Sequence, residues 1–217
     1  MIRALVFDFD GLILDTEGPD LQSWQEVYTA LGCTLSFERW AAGIGTLDAF
    51  DPYADLEEQL GRPLDRAAIR EWRRRRFTEL IASQDALPGV REYIAGARRL
   101  GLKLGIASSS PRSWVAGHLA RLGLLEPFDC LCCAEDVPRV KPDPALYQAA
   151  LTTLQITSGE AIALEDSPNG VLAARRAGIF CVAVPNVVTA RLPLDHADLL
   201  VPSLADLPLE RLLEQVA

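Results

Sequence analysis

The chain has 217 residues, 49% of them hydrophobic, which is ample for a real core and argues against disorder. A formal net charge of -9 leaves no basic surface to displace counterions, which argues against nucleic acid as a partner. The longest apolar runs are only strand length and the N-terminus opens on a core strand with no export pattern, so no membrane span and a cytoplasmic location are expected.

The first predicted element sets up the rest. Ile2, Ala4, Leu5, Val6 and Phe7 form a continuous apolar run, as in a strand buried on both faces of a parallel sheet. The run stops at Asp8 and Asp10, with Gly11 free to turn the backbone. If the strand continues one step, both carboxylates leave on the same side. At roughly 5 Å and an effective dielectric near 20 they would repel by about 3 kcal/mol. A divalent metal could relieve this, or one Asp could keep its proton and act as an acid; a plain turn closing the strand is the alternative.

From Asp20 to Gln84 the patterns are helical. Leu21, Trp24, Val27, Tyr28 and Leu31 share a face that ends at Gly32, a short helix is expected over Tyr53 to Leu60, and a longer one over Asp65 to Ala82. The apolar positions of that last helix are Ile69, Trp72, Phe77, Leu80 and Ile81. Its Arg73 to Arg76 run reads as a solvated face, with Arg76, in line with Trp72 and Leu80, as the arginine placed to reach a cleft. This stretch reads as a helical cap over residues 16–85, inserted into an α/β core of residues 1–15 and 86–217.

Beyond it, strand-like runs begin near Leu102, Phe128, Ala161, Ile179 and Leu199, at the spacing of βα units in a parallel sheet. Helices are expected after Pro88 and Gly89, over Pro111 to Leu122, from Pro144, and from Pro168. The five cysteines (Cys33, Cys130, Cys132, Cys133, Cys181) are odd in number and lack paired zinc-site spacing, so they read as reduced and structural. Of 21 basic residues only Lys103 and Lys141 are lysines, a mild sign that position 141 favours a compact ammonium.

Strand ends and helix starts carry Ser108, Lys141 and the turn Glu165-Asp166-Ser167. In an open parallel sheet these converge with Asp8 and Asp10 at the carboxyl edge. Read as capping residues alone, Ser108 to Ser110, Asp166 and Ser167 would simply start helices. DFDGLILDTE, the Ser108 of IASSS, the Lys141 of VKPDP and LEDSPNG, in this order, resemble the motifs of the haloacid dehalogenase superfamily, specifically its phosphatases and phosphomutases with a helical cap. The resemblance covers essentially the whole chain and implies a Rossmann-like parallel sheet. It also implies that Asp8 is the nucleophile, Asp10 the acid and base, Ser108 a donor to the phosphoryl group and Lys141 its counter-charge. Mg2+ would be held by Asp8, the Asp10 carbonyl and Asp166, with Glu165 assisting.

Within the family, the dehalogenases resemble this core but lack an acid matching Asp10, and phosphonate-cleaving relatives use a cap lysine that this chain does not have. Sugar phosphomutases are the alternative; they usually carry a cap-loop Arg and a His soon after the first motif, where this chain has GIGTLDAFDP and Asp20. Hydrolysis of a small-molecule phosphate ester, of the sugar or polyol class, is therefore expected, by a monomer or weak homodimer. A non-catalytic binding module is a further alternative, disfavoured by the intact charged set. Ser109, Gly43 and Thr46 are the expected substrate-binding residues, with Trp24 as a further cleft candidate that reads better as cap core. Hinges are expected near Asp15 to Gly18 and Gln84 to Pro88.

Overall fold

The computed structural model describes residues 1–41, 44 and 50–216. Its centre is a fully parallel sheet of β1 (Ala4–Phe7), β2 (Lys103–Ala107), β3 (Cys130–Cys132), β4 (Ala161–Glu165), β5 (Phe180–Ala183) and β6 (Leu199–Leu200), in the order β3-β2-β1-β4-β5-β6. β1 lies in the middle, paired through Phe7 to Ile106 on one side and to Leu164 on the other. The chain winds outward from β1 first in one direction and then in the other. The crevice where strand order reverses therefore opens just beyond Phe7, where Asp8 begins.

Alternation along β1 sends Leu5 and Phe7 into one buried layer and Ala4 and Val6 into the other. The first layer packs under α5 (Val90–Arg99), α6 (Arg112–Arg121) and α9 (Leu209–Val216), through Val90, Ile94, Val115, Leu119 and Leu212. The second packs under α7 (Ala145–Leu154) and α8 (Pro168–Arg176), through Leu146, Tyr147, Ala150 and Val171. Both faces are covered, which is why the strands read as unbroken apolar runs.

Between β1 and α5 the chain forms α1 (Glu17–Ala30), α2 (Phe37–Ala41), α3 (Pro52–Leu60) and α4 (Arg66–Ala82). They bury a cluster of their own around Trp24, Val27, Tyr28, Trp40 and Leu56, and Val188 from the loop after β5 packs into it. Helix α3 starts on the Asp51 carboxylate, which accepts the Tyr53 N–H, and α4 on Asp65, which accepts that of Ala68. The five-residue α2 was not anticipated, because one helical turn has no period to read. The two crossings between the halves run side by side, with the Leu87 N–H donating to the Ile13 carbonyl at 2.8 Å.

Helix α4 is rotated from the expected register. Ile81 is fully buried and Phe77 packs on the core, while Trp72 is exposed. The inward line is therefore Ile69, Arg73, Phe77 and Ile81, one position away from the Trp72, Arg76 and Leu80 line. All five cysteines are free thiols. Among the described residues no helix is long and apolar enough to cross a membrane.

Candidate active site

A cleft of about 620 Å³ lies over the carboxyl end of β1, walled on one side by sheet loops and on the other by α1, α2 and α4. Its floor is charged. Asp8, 6% exposed, follows Val6 on the α7 and α8 side of the sheet and is ion-paired to the Lys141 ammonium. Lys141, 2% exposed, also donates to Glu165 Oε1 at 2.7 Å, and Tyr147 O–H donates to the same oxygen at 2.6 Å. The other Glu165 oxygen accepts the Asp166 N–H at 3.2 Å.

These contacts leave a concentrated negative charge. Oxygens of Asp8, Glu165 and Asp166 all lie within 4.8 Å of one another, and all three residues are buried. Burial pushes the Asp8 carboxyl up to about 8, against the pull of Lys141 and with added repulsion from Glu165 and Asp10. Asp166 rises well above the ordinary carboxylate range for the same reason, burial first and the Asp8 charge next. For Lys141 burial pulls downward, but the Asp8 and Glu165 carboxylates outweigh it and hold the ammonium above an ordinary lysine. Hard oxygen donors facing one another at this spacing, short of positive charge, fit a divalent cation such as Mg2+.

Asp10 is held by different elements. β1 ends at Phe7, and a tight turn follows in which Ile13 N–H bonds the Phe9 carbonyl and Gly11 N–H bonds that of Leu14. The extended geometry therefore does not carry both carboxylates in one direction. Asp8 meets Lys141, whereas Asp10 meets Ser110 Oγ at 2.6 Å, Trp114 Nε1 at 2.8 Å and Ser108 Oγ at 3.3 Å. Both still line the cleft. Gly11 is required at this turn: its φ is +81°, and a Cβ there would run into the Asp166 carboxylate and the Asn186 amide.

Of the other residues named from sequence, Ser109 lines the cleft, while Ser108 is fully buried and accepts the Ser110 N–H at 3.0 Å. The serines do not cap α6. That task falls to the Glu135 carboxylate, 3.1 Å from the Arg112 N–H. Ser167 does cap α8, accepting from Gly170 N–H at 3.1 Å. Gly43 and Thr46 lie outside the described residues. Trp24 both packs in the helical cluster and lines the cleft. Arg76 is bound to Glu26 at 2.9 Å, and it is Arg73 that lines the cleft, ion-paired to Asp20 and 4.6 Å above the Trp24 ring.

Several contributors went unrecognised in the sequence. Asn186, from the loop after β5, donates to Asp166 Oδ2 at 2.8 Å and to the Gly11 carbonyl at 3.1 Å, tying two loops together below the cleft. Tyr147 and Trp114 lie inside α7 and α6, where no local signal marks a side chain that reaches the site. Glu17, half-buried on the wall, is raised well above the ordinary carboxylate range by burial and then by Asp10, Asp20, Asp8 and Asp15. The adjoining Thr16 hydroxyl is buried with no hydrogen-bond partner among the described residues. A carboxylate run at 8, 10, 15, 17 and 20 was the available signal for this acidic wall.

Farther from the floor the cleft is aromatic and apolar, with Trp24, Trp40, Phe50, Phe77 and Trp114. Its described lining carries five acids (Asp8, Asp10, Glu17, Asp20, Asp166) against Lys141 and Arg73. A dianionic ligand would need a further cation to bind there.

Comparison with known proteins agrees with this architecture. YhcW of Bacillus subtilis (strain 168) is 44% identical over 216 residues, covering 100% of this chain and 98% of its own. The validoxylamine A 7'-phosphate phosphatase of Streptomyces hygroscopicus subsp. limoneus is 30% identical, covering 95% and 96%. The crystal structure of CbbY from Rhodobacter sphaeroides in complex with xylulose-(1,5)bisphosphate superposes with a TM-score of 0.76 at 31% identity, over 95% of this chain and 96% of that one. The haloacid dehalogenase-like hydrolase profile matches residues 5–184, and the chain belongs to that family.

Proposed function

We propose that this protein is a Mg2+-dependent phosphatase that hydrolyses a small phosphorylated metabolite of the sugar or polyol class through an aspartyl-phosphate. The observation that carries the reading is the buried Asp8, held between Lys141 and the Glu165 and Asp166 carboxylates at the base of the cleft. A structural ion pair has no use for a third carboxylate in the same space. The relative named above for a phosphate ester, and the neighbour solved with a sugar bisphosphate, support the substrate class.

Asp8 attacks phosphorus, and as the P–O bond to the leaving group breaks, Asp10 gives that oxygen a proton. Asp10 then takes a proton from the water that splits the Asp8–phosphorus link. Lys141 offsets the charge of the nucleophile and the transferring group, and Ser108 and Ser109 stand at the loop that would meet the phosphoryl oxygens. Asp8, Asp166 and the Asp10 carbonyl, with Glu165 assisting, would hold Mg2+, and the ion would supply the positive charge that lets two anions approach. The residues 16–85 serve as a cap that closes over the substrate, with Gly43 and Thr46 as candidate contacts from its loop. The protein acts in the cytoplasm as a monomer or weak homodimer, without nucleic acid or membrane.

The test is phosphate release from a panel of phosphorylated metabolites with Mg2+, with Mg2+ chelated, and with Asp8→Asn. Metal-dependent release lost in the variant is the expected result. Faster interconversion of hexose phosphates with a bisphosphate primer than phosphate release would replace hydrolysis by mutase activity.

A further inference from the structure

Three groups hold the Asp10 carboxylate, and one of them connects it to the helical insert. Trp114, on the first turn and a half of α6, donates its indole N–H to Asp10 Oδ1 at 2.8 Å, while Ser110 and Ser108 hydroxyls meet the other oxygen. The two carboxylate oxygens are thus divided between a serine side and a tryptophan side. The serines belong to the loop after β2 and are fixed by the sheet. The indole is fixed by packing: its ring stacks on Phe77 of α4 at 5.7 Å and 21°, and meets His118 edge-on at 4.1 Å. Phe77 lies on the inward line of α4, so the stack is a contact between the insert and the core.

We propose that Trp114 is the positioning residue for Asp10, and that Phe77 from the insert holds the indole in place, so that the acid and base of the reaction is aimed when the insert is seated. The proposal rests on the phosphatase reading and deepens it. With the N–H in place, one Asp10 oxygen is pinned and the carboxyl group cannot spin about its last bond. Without it, two serine hydroxyls on one oxygen leave the other free to turn away from the leaving group. Trp114 acts through Asp10 and transfers no proton itself.

The chemistry offers a readout that a merely structural role would not move. In the first step Asp10 protonates the oxygen that leaves phosphorus. An alkyl phosphate expels an alkoxide and needs that proton, whereas 2,4-dinitrophenyl phosphate expels a stable phenolate and does not. kcat/KM covers the steps up to that departure, so the two esters separate aim of the acid from general damage to the site.

The experiment measures kcat/KM with Mg2+ for the best alkyl phosphate of the panel and for 2,4-dinitrophenyl phosphate. Trp114→Phe keeps the ring against Phe77 and His118 and removes only the donor. Its expected effect is a loss of about ten- to hundredfold on the alkyl ester, the weight of one hydrogen bond to a charged group, and under about threefold on the dinitrophenyl ester. Phe77→Leu, which keeps the donor and removes the stack, should show the same selectivity with a smaller loss, and it serves if Trp114→Phe does not fold. Equal losses on both esters, or no loss on the alkyl ester, would overturn the proposal. Wild-type protein inactive on both esters would instead mean that the phosphatase reading had failed.

Discussion

Asp8→Asn should separate stability from activity in opposite directions. In the metal-free protein, burial raises the Asp8 carboxyl from 3.8 to about 8. At pH 7 the unfolded chain carries this group ionised and the folded chain carries it protonated, so folding takes up a proton. The native state binds more protons than the unfolded one between these values, and stability falls as pH rises through the window. From 3.8 to pH 7 is about three units at about 1.4 kcal/mol each, or about 4 kcal/mol against folding. Asparagine has the same shape and no such proton uptake. For a chain of this size about 1 kcal/mol moves Tm by roughly 2–4 °C, so the variant should melt about 8 °C or more above wild type in EDTA at pH 7. The gap should close below about pH 3, where Asp8 is protonated in the folded and the unfolded chain alike. It should also narrow with Mg2+, which on the proposed reading would stabilise the folded wild type by binding carboxylates of which the variant lacks one. Phosphate release should meanwhile be lost. A variant that melts at or below wild type in EDTA at pH 7, or a gap that does not change with pH, would refute the burial argument.

Lys141→Met removes the ammonium shared by Asp8 and Glu165 and leaves the buried Glu165 without its counter-charge, a break of the kind that costs about 3–5 kcal/mol. Thermal unfolding in EDTA should show a fall of about 6 °C or more, with phosphate release abolished; a fall under about 2 °C would contradict it. Asn186→Ala frees the Asp166 carboxylate and the Gly11 carbonyl, and the Mg2+ concentration for half-maximal activity should rise about ten- to hundredfold with Tm little changed. Gly11→Ala asks an L residue to hold φ +81° with its Cβ against Asp166, so soluble protein should lose both activity and several degrees of Tm; an active, stable variant would show that the turn has another solution.

The strands were legible because a strand covered on both faces needs an unbroken apolar run, and Ala4 to Phe7, Leu104 to Ala107 and Ala161 to Leu164 satisfy that locally. A cap was legible where one side chain does the work, as with Ser167. Arg73 and Arg76 show where local reading stops. Three residues apart on one helix, both sit near its apolar side, and the choice between them depends on how far α4 is rotated. That rotation is set by Phe77 and Ile81 finding the core and by Glu26 of α1 receiving Arg76, none of which is a local property. The consequence reaches the functional argument: the cleft does hold an arginine, but one bound to Asp20 and laid over Trp24.

Local residues alone carry the order of strands and helices and the set of polar residues at their ends, because apolar period and turn chemistry are written in neighbouring residues. From the order of βα units it also followed that those ends share one edge. Which partner each carboxylate meets depends instead on how the elements pack. Asp8 and Asp10 are two residues apart, yet one faces Lys141 and Glu165 and the other faces Ser110 and Trp114. Asn186 reaches Gly11 across 175 positions of chain, and Trp114 takes its seat on Phe77 from a different half of the fold. Such contacts depend on the rotation and depth of whole elements packed against one another, which no stretch of residues carries alone.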